Sequence, residues 1–123
     1  MATYKGIKGF TVQSLATDPV GAGVAGATWS SGGNLNTARL QGGAAGTQTA
    51  GLVFGGNPTT GVTEEYNGSS WSEQNDMNTT GANLLGCGTQ TAALRSGGYN
   101  GSYLNVTEEY GGTSWTTGNT MPV

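Results

Sequence analysis

Apolar and polar positions alternate in short runs along most of this chain, and the runs come round twice. GTQTAGLVFGG starts at Gly46 and leads to VTEEYNGSSW, which ends at Trp71. GTQTAALRSGG starts at Gly88 and leads, through a longer linker, to VTEEYGGTSW, which ends at Trp115. Period-two alternation marks half-buried strands, and a long segment that recurs whole marks a stacked or radial architecture. The pattern predicts inner strands over Thr49 to Phe54 and Thr91 to Leu94, and second strands over Val62 to Tyr66 and Val106 to Tyr110. Third strands follow over Ser69 to Glu73 and Thr113 to Thr117. The pairs Gly55-Gly56 and Gly97-Gly98, which close the inner strands, suit positive φ or a close backbone approach. Asn67-Gly68 and Gly111-Gly112 carry the two-residue hairpin signal. No stretch has helical periodicity, so the fold class expected is all-β, with two antiparallel sheets per chain.

The chain divides by pattern into an N-terminal arm over residues 1–20, a Gly/Ala-rich linker over 21–28 and a repeat domain over 29–123. The repeat units span about 40–77 and 82–121. Within the arm the pattern predicts a short strand around Ile7 to Leu15. Gly21, Gly23 and Gly26 match G-x-G-x-x-G, but Asp18-Pro19 precedes them and TWSSGGN follows, where a dinucleotide site needs a strand and a helix. Trp29, Leu35 and Asn36-Thr37 correspond to Trp71, Met77 and Asn78-Thr79. There are therefore three Trp-containing tails for two cores.

Composition changes the picture in three ways. Charged residues make up 9% of the chain and Gly 24 of its 123 residues. That would suit disorder, except that the glycines hold fixed places in a repeat. The net charge is -3 with only four basic residues, which leaves no basic patch for nucleic acid. Few charges also leave strand edges without their usual protection, so pairing within a closed sheet or with another chain is expected. No apolar run is long enough for membrane insertion, and none reads as a signal peptide.

Candidate chemistry is sparse. The chain has no His, which removes Ser-His-Asp and Cys-His catalysis and His metal sites. Cys87 is the only cysteine; it aligns with Ala45 and is expected to be a small buried residue. Glu64-Glu65 and Glu108-Glu109 are the only carboxylate pairs. Neighbours on a strand point to opposite faces, so neither pair converges as an acid/base couple would. Glu64 and Glu108 share faces with Tyr66 and Tyr110. Their expected role is to accept backbone N–H bonds or to pair with Arg39, with calcium ligation as the alternative. Trp29, Trp71 and Trp115, with Tyr66 and Tyr110, recur at repeat spacing and are expected to pack a core. Tyr99, Asn100 and Tyr103 lie in the longer linker and are the candidate ligand-contact loop. No catalytic residue, metal or cofactor is expected, and the chain reads as a non-enzyme.

The order LVFGG, EEY, W and DM, with NLNTAR in the N-terminal tail, resembles the kelch repeat, which implies a four-stranded propeller blade per unit. The second unit departs from the pattern: it has Arg95-Ser96 in place of Val53-Phe54, and Gly81 where an Arg is expected. The wording GTQTA, TEEYNGSSW and NLNTAR, with the opening MATYKGIKGFTVQSLATDP, resembles kelch-like virion proteins of marine tailed phages, including cyanophages. That resemblance implies a virion, hence extracellular, structural protein associated with a tail or fibre. It implies attachment to other virion proteins through residues 1–20 and contact with a host-surface glycan. A propeller needs about 4–8 blades, so two units imply completion by copies of the same chain, with a trimer favoured. The other readings are a lectin-like glycan-binding adhesin and a subunit of a surface filament.

Overall fold

The computed structural model describes residues 28–123, of which 32–123 form one unit. The arm at 1–20, its strand around Ile7 to Leu15 and the G-x-G-x-x-G at Gly21 to Gly26 lie outside the described residues. Eight strands follow in order: β1 (Gly43–Thr47), β2 (Ala50–Phe54), β3 (Thr63–Tyr66), β4 (Trp71–Gln74), β5 (Leu85–Thr89), β6 (Ala92–Ser96), β7 (Thr107–Tyr110) and β8 (Trp115–Thr117). They form two four-stranded antiparallel sheets, β1-β2-β3-β4 and β5-β6-β7-β8, each a simple meander built from one repeat. The described residues contain no helix, and thus none long and apolar enough to cross a membrane.

Three expectations are corrected. Each sheet begins with a strand that the pattern did not show, β1 and β5. Their sequences, GAAGT and LGCGT, have no apolar alternation because they pack through backbone and small side chains. The strands expected to be innermost are therefore second in their sheets. The ladders end at Tyr66–Trp71 and Tyr110–Trp115, and the turns are closed by Asn67 N–H to Ser70 O and Gly111 N–H to Ser114 O, both at 3.1 Å, so Gly68-Ser69 and Gly112-Thr113 sit at the tips, one residue later than expected. In the first turn the Asn67 Oδ1 also accepts the Ser69 and Ser70 N–H groups at 2.9 and 3.0 Å, an Asx arrangement; the second turn, with Gly111 at that place, takes the same form from the backbone alone.

The Gly-Gly pairs do what only glycine does easily. Gly55 and Gly56 sit at φ +63° and +122°, Gly97 and Gly98 at +65° and +105°. These values turn the chain out of the sheet where a side chain would clash. Gly55 N–H still bonds Val62 O, and Gly97 N–H bonds Val106 O, both within 3.0 Å. Gly56 N–H then reaches Gly81 O at 2.8 Å and ties the first unit to the second.

The two sheets lie face to face. Register places Leu52, Phe54, Thr63 and Glu65 on one face of the first sheet. It places Ala93, Arg95, Glu108, Tyr110 and Trp115 on the facing side of the second. Leu52, Phe54, Met77, Leu84, Ala93, Tyr110 and Trp115 make the core. Phe54 and Trp115 meet edge to face, 4.9 Å between centroids at 68°, a favoured aromatic geometry. The first strands come close together at Gly86, where a Cβ would stand 2.5 Å from Phe54 Cζ and 2.7 Å from Ala44 O. Glycine is required there by space rather than by φ.

Candidate functional site

Each repeat carries one fully buried carboxylate, and each carboxylate is held in the same way by the segment that leads into its sheet. Glu64 Oε2 accepts the Asn36 N–H at 2.7 Å, and Oε1 accepts the Thr37 N–H at 3.3 Å and Nη2 of Arg39. Glu108 Oε2 accepts the Asn78 N–H at 2.8 Å, and Oε1 accepts the Thr79 N–H at 3.2 Å. Asn36 and Asn78 complete the motif by donating Nδ2 to Trp71 O and Trp115 O, both at 3.0 Å. A buried carboxylate is tolerable only when its lone pairs are filled and its charge is matched. Here two backbone N–H groups and a guanidinium do both.

The guanidinium comes from different places in the two units. In the first it is Arg39, ahead of β1, while position 53 on β2 is Val. In the second, Gly81 takes the place of Arg39, and Arg95 on β6 takes the place of Val53. Arg95 reaches the same carboxylate from the neighbouring strand, opposite Glu108 in register. Its Nε donates to Glu108 Oε1 at 3.0 Å, Nη1 to Gly97 O at 2.8 Å and Nη2 to Thr79 O at 2.6 Å. Burial lowers the Arg95 pKa from its ordinary value, and the charge and hydrogen bonds of Glu108 oppose that shift. Arg39 is less fully bonded: its Nη1 donates to Val62 O at 3.2 Å, while its buried Nε has no partner. The second unit, which departs from the repeat pattern, thus has the better-satisfied ion pair. The paired changes at 81 and 95 were visible in the sequence, but their equivalence needs the register.

The aromatic positions split by environment. Tyr110 and Trp115 are buried, whereas Tyr66 and Trp71 are half-buried. Trp29 lies outside the 32–123 unit and is exposed. Tyr110 donates its hydroxyl to Glu65 Oε2 at 2.6 Å, and Trp115 donates its indole N–H to Thr63 Oγ1 at 2.9 Å. Both bonds cross from the second sheet to the first. Burial, then the bond to Glu65 and its negative charge, push the Tyr110 pKa well above that of a free phenol. Gln90 adds a third crossing, donating to Gly51 O at 3.0 Å and Tyr66 O at 2.8 Å. Thr63 and Gln90 were not singled out from the sequence, and Glu65 was noted only as one half of a carboxylate pair, although the TEEY alternation puts Thr63 and Glu65 on one face.

Cys87 is exposed, not buried as expected. Its counterpart Ala45 packs against the core because the second sheet covers it, while none of the described residues covers the face that carries Cys87. In the candidate loop, Tyr99 and Tyr103 meet edge to face with centroids 5.3 Å apart. They line a shallow depression of about 430 Å³ with Asn83 and Gly98. Asn100 lies beside them, its N–H bonded to Ser102 O at 3.2 Å. Among the described residues no group of three or more His, Cys, Asp or Glu side chains is placed to hold a metal ion. Neither models of known protein families nor the curated proteins match this chain.

Proposed function

We propose that this chain is a self-assembling structural protein of a virion, associated with a tail or fibre, and that it carries out no catalysis. The observation that supports this is the joint between the repeats. Two sheets of the same sequence pattern are joined face to face by Tyr110–Glu65 and Trp115–Thr63, all four at repeat positions. A unit joined to its own repeat in this way is suited to further stacking, either into a propeller completed by several chains or into an open array. The kelch-like resemblance favours the propeller and the tail-fibre resemblance three chains, with residues 1–20 attaching to other virion proteins. Two measurements test this. Antibody against the chain should label purified particles, and deletion of residues 1–20 should abolish incorporation while leaving the β domain folded. Unlabelled particles would overturn the virion role, and normal incorporation of the shortened chain would overturn the attachment role.

A second reading rests on Tyr99 and Tyr103. Tyr103 is 92% exposed and Tyr99 41%, and an exposed aromatic pair at the rim of a depression is suited to stacking on a sugar ring. Under this reading the assembled protein also contacts a host-surface glycan. A glycan array with Tyr99→Ala and Tyr103→Ala controls tests it, and no binding by the intact protein would reject it.

A further inference from the structure

We infer that the two outward faces of this chain are the two halves of one interface, so that the occupant of each is a second copy docked head to tail. The inference rests on the self-assembly reading and specifies its contacts.

The chain makes this interface once internally, and the repeat supplies the unused halves. The outer face of the second sheet carries Thr107 and Glu109, the counterparts of Thr63 and Glu65. The outer face of the first sheet carries Tyr66 and Trp71, the counterparts of Tyr110 and Trp115. Gln48, counterpart of Gln90, is exposed at the first hairpin. Laid on the internal joint, Tyr66 of one copy donates to Glu109 of a second copy and Trp71 to Thr107. Gln48 then reaches the Ala93 and Tyr110 carbonyls. The Trp71 indole now donates to Gly33 O at 3.0 Å, a bond the Thr107 contact would replace.

A compensated pair of residues supports covering of this face. In the first sheet Gly43 lies opposite Phe54, whose ring leaves no room for a Cβ at 43. In the second sheet the corresponding pair is Leu85 opposite Ser96. The large apolar side chain has moved to the facing strand, yet one is still provided at that spot. Here it is 72% exposed, and Leu94, the counterpart of buried Leu52, is 38% exposed. A solvent-facing site has no need of such compensation; a packed one does. At one place the copies compete. Met121, beside Gly97, fills the position that the repeat also assigns to Leu35 of the second copy, so one of those end segments gives way on docking.

Head-to-tail pairing has a distinctive test in the full-length chain. Leu85→Glu with Leu94→Glu disables one face, and Tyr66→Glu disables the other. By native mass spectrometry the parent chain should form species larger than a dimer, each variant alone should be monomeric, and an equimolar mixture should give a one-to-one dimer. Near-ultraviolet circular dichroism from Trp115 checks folding. Gln48→Ala, a change at an exposed site, should weaken association about tenfold or more, the effect of its two lost hydrogen bonds. Variants that still self-associate, a mixture that stays monomeric, or Gln48→Ala without effect would overturn the pairing; self-association of the parent would leave the self-assembly reading standing. A parent chain that is monomeric at every concentration would overturn both.

Discussion

Trp115 gives its indole N–H to Thr63 Oγ1 at 2.9 Å, from the last strand of the second sheet to the third strand of the first, with both residues buried. The bond fixes the sheets in register and places the Trp115 ring against Phe54. Thr63→Val keeps the shape and leaves the N–H unpaired in the core. A buried donor without a partner costs about 1–3 kcal/mol. Urea unfolding followed by tryptophan fluorescence should show that loss, and unchanged stability would mean the bond contributes nothing net.

The alternative placements of arginine make a second prediction. Arg95→Val removes the only guanidinium bonded to Glu108 and strands a buried carboxylate. Breaking a buried pair in this way costs about 3–5 kcal/mol. Gly81→Arg on that background copies the first unit and should recover part of the loss. The remainder reflects Leu84, whose Cδ2 lies 3.1 Å from where a Cβ at 81 would be. A double variant no more stable than Arg95→Val would disprove the equivalence of the two sources.

Close approach at Gly86 predicts a third result. Gly86→Ala should lower stability by about 1–3 kcal/mol through overpacking against Phe54 and Ala44. Gly111→Ala is the control, because nothing lies within 4 Å of a Cβ there and such sites change stability by about 0.5 kcal/mol or less. Thermal melts of the two variants should separate clearly.

The Tyr110 phenol sets an alkaline limit. Its pKa is raised in the folded state, so the folded protein holds the proton that the unfolded chain releases near pH 10. The stabilisation is fully present below the unfolded pKa and falls as pH climbs from about 10 toward the folded value. Tyr110→Phe should be less stable at neutral pH by about 1 kcal/mol for the lost bond to Glu65. The gap to the parent should narrow above pH 10. A gap that stays constant to pH 12 would mean that Tyr110 titrates alike in both states.

The repeat, its alternation and its Gly-Gly punctuation made the all-β class legible, together with six of the eight strands, because each of those features is local. Strands β1 and β5 were not legible: GAAGT and LGCGT present backbone and small side chains to their neighbours, and such packing leaves no hydropathy signal. The hairpin register also escaped by one residue, since Asn67 and Gly111 close their turns through backbone bonds to Ser70 and Ser114 and do not sit at the tips. At the buried carboxylates, the sequence identified Glu64, Glu108 and Arg39. Arg95 stayed hidden because residues far apart in sequence become interchangeable donors only when strand pairing brings them to one point. Exposure was decided entirely by the tertiary structure. Tyr66 and Tyr110, or Ala45 and Cys87, occupy the same position in the repeat, yet one of each pair is covered by a second sheet and the other is not. The sequence by itself set the repeating unit and the side chains each face carries, through alternation along a strand. Only the stacking of one unit on the next determined which faces became core.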